Sequence, residues 1–448
     1  MISLLEKIAN GLPPFSGHAF LVGGCVRDAL LGRPPADIDI AVDGNPERIA
    51  RQTAERLGGR LVVLGRDENS LFRIIGPDTG PLDLTALRGG DIGADLSRRD
   101  FTVNAMAWDL RTRRLLDPAG GEADLACGRI HRTDPMVFVQ DPVRMARALR
   151  FAAELNFHLS PETREEMRRH APRLSEAPGE RIRVELDKLM ETGRAHAHLE
   201  RMVETGLLRA LFPVAPPPDL GILARLERQF RCPEPGFPAT ARAARTASAA
   251  DRSTLAHAAF LHGWPPNAHP NPLEKLADRL RWSRRKAEAV GRLTTQSRRA
   301  EAILAEWGNP TADETISKAC AEWLRACGAA LPQVLLLTRA SFPAYHLPGQ
   351  TAVERLLNFD RLVLARRRAT GPLLTGQDLI RELHLSPSPR FGQLLAAVEA
   401  ERLSGRLQTR EAALERAREE LGDSRLPSDR KTDSSARSDR ESDLESGP

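Results

Sequence analysis

The chain has 448 residues, 41% of them apolar and 28% charged, a length that exceeds one ordinary hydrophobic core and predicts two to four domains. Its net charge of +5 permits an anionic partner such as nucleic acid without demanding one, and its five cysteines form no CxxC pair, which argues against a zinc site or a disulfide framework and fits a reducing cytosol. No run approaches the ~18 apolar residues of a membrane span, and Glu6 and Lys7 interrupt the start too early for a signal peptide, so a soluble, cytoplasmic protein is expected.

The first part alternates strand and helix signals. "HAFLVGG" reads as a strand entering a glycine turn, and "CVRDALLG" as a short helix stopped by Gly32. "ADIDIAV" is a strand, and "PERIARQTAERLGG" an amphipathic helix closed by glycines. "RLVVLG", "LFRIIG", "GPLDLTALRGG", "FTVNAMAWDL" and "RLLDPAGG" add strands, giving a mixed α/β domain to roughly Ile130. After Asp134 the pattern changes. "DPVRMARALRFAAEL", "PETREEMRRHAPRL" and "GERIRVELDKLMET" carry apolar residues at three- and four-residue spacing, and strand signals almost vanish up to Gly422. "VAPPP" and "CPEPGFP" mark interhelical loops or a domain boundary. From Ser424 the chain is polar, charged and predicted to be disordered.

The stretch "LVGGCVRDALLGRPPADIDIAV" concentrates chemistry. In a strand, residues two apart share a face, so Asp37 and Asp39 lie side by side while Ile38 and Ile40 point into the core. Two ionised carboxylates this close repel unless a cation lies between them, and a hard divalent ion such as Mg²⁺ suits oxygen ligands. Alone, the pair reads more readily as an exposed strand end with two solvated acids. Gly23 and Gly24 alter that reading: a glycine turn before a helix lets backbone N–H groups approach phosphate oxygens, and Arg27 lies one turn further on. A phosphate cradle beside a metal-binding pair is an arrangement for nucleotide transfer.

This stretch resembles the signature of class II tRNA nucleotidyltransferases (CCA-adding enzymes) and bacterial poly(A) polymerases, within the DNA polymerase beta nucleotidyltransferase superfamily. The resemblance, close from about Leu21 to Met190 and looser to about Ala417, implies an α+β protein: a mixed α/β nucleotidyltransferase head over residues 1–133, a helical neck over 134–213 that binds base and RNA, and a helical body and tail over 214–422; it does not reach the end over 423–448, which composition alone predicts to be disordered. It implies that Asp37 and Asp39 hold catalytic Mg²⁺, that the turn of Gly23 and Gly24 holds the triphosphate, that Arg27 contacts the nucleotide, and that Asp28 supports the turn.

"DLSRRDFTVNAMAWDL" resembles the family's second motif. Its arginines suit phosphate, and Asp100 or Asn104 can accept and donate at a ribose hydroxyl. The resemblance implies ribose selection here, with Arg99, and next to it Arg98, as nucleotide contacts; a buried ion-pair network is the alternative for Asp95 and Asp100. Asp83 in "PLDLTAL" is a candidate third catalytic carboxylate or general base, and equally a hydrogen-bonded strand acid.

In "FVQDPVRMARALRFAAEL", Asp141 opens a helix on which Arg144, Arg147 and Arg150 follow at three-residue steps, a spacing that spreads them over a broad face. Cytosine and adenine both present an amine donor beside a ring-nitrogen acceptor, so a carboxylate next to a guanidinium matches both and mismatches uracil and guanine. Asp141 with Arg144 is therefore a candidate protein template for C and A, the role the resemblance assigns to this motif. The family's usual Glu-Asp-x-x-Arg begins here with Gln140. "PGERIRVELDKLMET" resembles a motif that braces this helix, so Glu180, Arg181, Glu185 and Lys188 are expected to be structural. "LAHAAFLHGW" resembles the place of a His-Asp phosphohydrolase motif in some relatives, but Gly263 follows His262, so no accessory phosphatase is expected. Residues 373–414 resemble the helical tail of longer bacterial members, which would grip tRNA backbone phosphates.

The resulting expectation is an enzyme that adds C and A to the tRNA 3′ end from CTP and ATP, without a nucleic-acid template and with release of pyrophosphate, with no membrane association and no obligate protein partner. A poly(A) polymerase, or a partial enzyme adding only CC or only A, shares these motifs; an inactive RNA-binding relative is the remaining alternative.

Overall fold

A computed structural model describes residues 11–14, 17–35, 37–65, 70–77, 80–214, 216–233, 238–269, 271–306, 313–341, 371–404 and 406–422. The chain divides into two compact units, Met1–Glu301 with Ala329–Gln350, and Ala302–Gly328 with Thr351–Pro448. The break falls inside the segment expected as body and tail, while the predicted neck packs in the same unit as the head. The segment expected to be disordered, 423–448, lies outside the described residues.

The first unit opens with β1 (Ala19–Val22), α1 (Gly24–Leu30), β2 (Ile38–Val42), α2 (Pro46–Arg56), β3 (Arg60–Leu64), β4 (Leu71–Ile75) and β5 (Leu82–Ala86). After α3 (Ile92–Ser97) come β6 (Ala107–Asp109) and β7 (Arg114–Leu116). Seven strands form one sheet in the order β3-β4-β5-β2-β1-β6-β7, with β2 and β5 parallel and the other neighbours antiparallel. β2 sits at the centre because Ile38, Ile40, Ala41 and Val42 are all buried. The parallel β2–β5 pair requires a crossover, and α2 and the β3–β4 hairpin provide it. α2 begins where the Asn45 side chain accepts the Arg48 N–H at 3.0 Å, with Pro46 in its first turn, and it buries Ile49, Ala50 and Ala54. Burial of a side chain such as Ile49 contributes about 2 kcal/mol.

The stretch Phe101–Leu110, expected as one strand, divides instead into a 3₁₀ turn (Thr102–Asn104) and β6. Local side chains take the backbone's bonds there: Asp100 Oδ1 accepts the Phe101 N–H at 2.9 Å, and the Thr102 hydroxyl donates to Asp124 at 2.5 Å.

After α4 (Gly121–Ala126) and β8 (Arg129–Ile130), the segment expected as the neck runs through α5 (Val137–Gln140), α6 (Val143–Leu155), β9 (His158–Leu159), α7 (Pro161–His170) and α8 (Gly179–Glu191). β9 interrupts the helical region by pairing with β8, once Asn156 ends α6 in the left-handed conformation at φ 61°. α8 buries Ile182, Leu186, Leu189 and Met190, one face of a helix, and packs against α6 and against α13 (Ala249–His262). Between them lie α9 (Ala195–Glu204), α10 (Leu207–Leu211), α11 (Gly221–Arg231) and α12 (Pro238–Thr246). α14 (Pro272–Arg279) and α15 (Arg284–Glu306) follow, the latter running into the second unit, and α17 (Leu331–Ser341) returns to the first.

The second unit contains α16 (Asp313–Cys327), α18 (Gly376–Leu383), α19 (Pro389–Ser404) and α20 (Arg410–Gly422), around a core that includes Leu379, Leu394, Val398 and Ala413. Thr375 and Asp378 form a reciprocal capping box at the start of α18. Among the described residues, no helix is long and apolar enough to cross a membrane.

Candidate active site

The glycine turn and the central strand meet in one place. Gly23, at φ 75°, turns the chain from β1 into α1. A Cβ there would lie 2.7 Å from Arg99 Nη1 and 3.7 Å from Asp39 Oδ2, so glycine is needed both for the dihedral and for the approach of these two side chains. Arg99 is held by Asp95, one turn earlier on the chain, whose Oδ2 accepts from Nε at 3.2 Å and from Nη2 at 2.9 Å.

Asp39 stands opposite Asp83 in the β2–β5 register, and Arg73 on β4 stands opposite Asp83 from the other side. Arg73 clamps the buried Asp83 with Nε at 2.8 Å and Nη2 at 2.6 Å, which occupies both carboxylate oxygens. The Asp39 carboxylate has no hydrogen-bond donor among the described residues. Burial pushes its carboxyl up to about 6; Arg99 opposes the rise, and the negative charges of Asp83 and Asp37 add to it. Asp37 is exposed at the bend just before β2. Two neighbouring acids, one of them desolvated and short of donors, fit a hard divalent cation held by oxygen ligands. Among the described residues no set of three or more His, Cys, Asp or Glu side chains gathers as a metal cage.

A chain of hydrogen bonds runs from this turn into the neck. Arg27 donates through Nε and Nη2 to Asp28 and through Nη1 to Asn104 Oδ1 at 2.7 Å. Asn104 donates to Asp100 Oδ1 at 3.2 Å, and Asp100 Oδ2 accepts from Arg147 Nε at 2.9 Å. Arg147 reaches Glu185 on α8 at 3.1 Å, and Glu185 also accepts from Arg150 at 2.5 Å. The Phe151 ring lies under three of these cations, with Arg150 at 3.9 Å and Arg147 at 5.2 Å from its centroid. The head and the neck therefore share one polar network at the floor of the site.

At the far end, Asp141 lies between α5 and α6, and its Oδ1 accepts the Val143 N–H at 3.2 Å. Arg181 on α8 meets both its oxygens, Nη1 to Oδ1 at 3.2 Å and Nη2 to Oδ2 at 2.6 Å. Arg144 Nη2 donates to the Arg98 carbonyl at 2.9 Å, and its Nε lies 4.0 Å from Asp141.

These groups line a continuous cleft of about 720 Å³. It brings together Gly23, Gly24, Arg27, Asp39, Arg99, Asp100, Asn104, Asp141, Arg144 and Arg147 from the sequence-based candidates, along with Arg98. Asp37, Asp83 and Arg150 do not line it: Asp37 precedes the strand, Asp83 is paired beneath the surface, and Arg150 is buried between Glu154 and Glu185. The sequence reading left out Arg88, Phe151 and Val184 and treated Arg181 and Glu185 as structural, yet all five line the cleft. The spacing of Arg181, Val184 and Glu185 along α8 was the available signal, since it puts them on one face.

Residues 19–131 match the family model described as the poly A polymerase head domain, and residues 156–216 match one described as a probable RNA- and SrmB-binding site of polymerase A. A CC-adding tRNA nucleotidyltransferase of Synechocystis is 30% identical over 424 residues, covering 92% of this chain and 95% of that protein. The chain belongs to the tRNA nucleotidyltransferase and poly(A) polymerase family. It is a nucleotidyltransferase, of a fold class that works with divalent metals. A CC-adding tRNA nucleotidyltransferase of Geobacter sulfurreducens is 41% identical over 194 residues; that match spans 43% of this chain and 45% of the relative. Poly(A) polymerase I of Salmonella typhimurium is 35% identical over 228 residues, covering 46% of this chain and 49% of its own. The fold is that of the Thermotoga maritima CCA-adding enzyme complexed with tRNA, at 23% identity and a TM-score of 0.65 over 93% of this chain and 94% of that one. A CCA-adding enzyme with CTP gives a TM-score of 0.67 at 23% identity, over 91% of this chain and 92% of that chain.

Proposed function

We propose that this chain is a tRNA nucleotidyltransferase that extends the tRNA 3′ end with cytidine from CTP. The observation that carries this reading is the similarity to the CC-adding Synechocystis enzyme across nearly the whole of both chains. Full CCA addition is the second reading, favoured by the chemistry of Asp141 and Arg144, which suits the edge of adenine as well as that of cytosine.

In the mechanism, the tRNA 3′-hydroxyl attacks the α-phosphate of the nucleotide, a new P–O bond forms and pyrophosphate leaves. Gly23 and Gly24 let the backbone approach the triphosphate, and Arg99 and Arg27 supply positive charge beside it. Asp37 and Asp39 would hold Mg²⁺, whose chemistry when bound is to polarise phosphoryl oxygens and offset the charge of the departing pyrophosphate. Asp100 and Asn104 present an acceptor and a donor for the ribose hydroxyls, and Arg147 fixes Asp100 from the neck side. Asp83, with both oxygens on Arg73, sets the charge beneath Asp39 and is the least available of the three acids for proton transfer. Residues 1–133 act as the catalytic head, 134–213 read the base, and the helices of 214–422 carry the tRNA.

The test is single-nucleotide incorporation on tRNAs ending at the discriminator base, after one C, and after CC. Two cytidines and a stop support CC addition. AMP added after CC supports the second reading, and long A tails on unstructured RNA overturn both.

A further inference from the structure

Resting on the reading that Asp141 and Arg144 choose the base, we propose that Arg181 is the positioning residue that sets this choice. A carboxylate has about four lone-pair sites. At Asp141, Oδ1 accepts from the Val143 N–H and from Arg181 Nη1, both at 3.2 Å, while Oδ2 accepts only from Arg181 Nη2 at 2.6 Å. One acceptor site, on Oδ2, is left over. Arg144 is held to the Arg98 carbonyl through Nη2, and its Nη1 is buried with no hydrogen-bond partner among the described residues. The cleft thus ends in one unfilled acceptor and one unfilled donor on neighbouring side chains. An amine beside a ring-nitrogen acceptor, as in cytosine or adenine, fills both. Uracil or hypoxanthine, with a carbonyl beside a ring N–H, sets acceptor against acceptor and donor against donor.

Arg181 creates this asymmetry because its two-pronged contact fixes the rotation of the carboxylate. Without it, Asp141 can turn either oxygen to the base, and the match to the amine loses its geometry. A purely bracing role does not fit the side chain, which is 54% exposed at the cleft. α8 is held by other contacts in any case: Arg183 donates to the Arg281 carbonyl at 3.1 Å, Lys286 pairs with Asp187, and Glu185 takes the two neck arginines.

The experiment measures kcat and KM for CTP against UTP, and for ATP against ITP, on tRNAs lacking all or part of the CCA end, in the wild type, Arg181→Ala, Arg181→Lys and Asp141→Ala. The wild type is expected to prefer the amine of each pair it uses. Arg181→Ala should lower that preference about tenfold, mostly through a higher KM for the amine nucleotide, with the melting temperature unchanged. Arg181→Lys keeps the charge but only one contact point and should recover only part of the preference. Equal loss for both members of a pair, or an unchanged preference in Arg181→Ala, overturns the inference. Should Asp141→Ala collapse the preference while Arg181→Ala leaves it intact, only the role of Arg181 fails. If Asp141→Ala leaves the preference intact, or the wild type has none, the base-reading assignment fails and takes the inference with it.

Discussion

At the residue scale, Asp39 and Gly23 both depart from what stability alone would select. Asp39 is a partly buried acid without a hydrogen-bond donor among the described residues, raised to about 6 by burial and by two neighbouring acids. Asp39→Asn removes the repulsion while keeping the shape. On the proposed role of Asp39 in holding the metal, CMP incorporation is expected to fall by about a thousandfold while the melting temperature holds or rises. Steady-state incorporation together with a thermal melt checks this. Gly23→Ala should fail on both counts. Its φ of 75° is strained for alanine, and the new methyl group would press on Arg99. A loss of about 2 kcal/mol in stability is expected, read by urea denaturation, with a clear drop in kcat/KM for the nucleotide.

The joint between α6 and α8 matters most at the scale of elements. Both helices were legible from their three- and four-residue apolar spacing, but that spacing says nothing about which charged residues face each other. Arg144, Arg147 and Arg150 step around α6, and the fold sends them to three destinations: the cleft, the bridge to Asp100 and the buried pair with Glu185. Glu185, 6% exposed, accepts from Arg147 and Arg150 together. Glu185→Gln removes the charge shared by the buried Arg150 and the half-buried Arg147, which keep Glu154 and Asp100 as partners, and should destabilise the protein by about 2 kcal/mol, lowering the melting midpoint by a few degrees. A calorimetric melt showing no change would separate this network from the stability of the neck. The 3₁₀ turn at Thr102–Asn104 shows the same limit of local pattern. "FTVNAMAWDL" has strand composition, yet Asp100 and Asp124 draw its first half into a turn that aims Asn104 at Arg27.

Glu227 and His257, two buried titratable groups in the helical part, each contribute to the dependence of the whole molecule's stability on pH. Burial raises Glu227 to about 7, although backbone N–H groups of His196 and Ala195 and the nearby Arg231 oppose it. Its unfolded value is lower, so the stabilisation it brings is full below about pH 4.5 and is lost as pH rises through about 7. Burial likewise depresses His257 to about 4, with Lys286 adding to the effect, so its stabilisation is full above pH 6.5 and is lost as pH falls towards 4. Glu227→Gln should therefore flatten the fall in melting temperature between pH 5 and 8 without touching the acid side; melts across that range read it directly. Taken alone, the sequence determined most of the head's strands and α2, the Gly23–Gly24 turn, the Asp37–Asp39 spacing and the helical character beyond residue 134. These rest on short-range rules: side-chain period, glycine conformations and the repulsion of adjacent acids. Tertiary structure alone decided which acid is free and which is paired. Asp39 faces the cleft and Asp83 is clamped by Arg73, because the register of β2, β5 and β4 aligns residues 44 and 10 positions apart. It also decided that Arg181, forty positions from Asp141, shares its carboxylate, because the packing of α8 against α6 sets that distance and no periodicity in either segment encodes it.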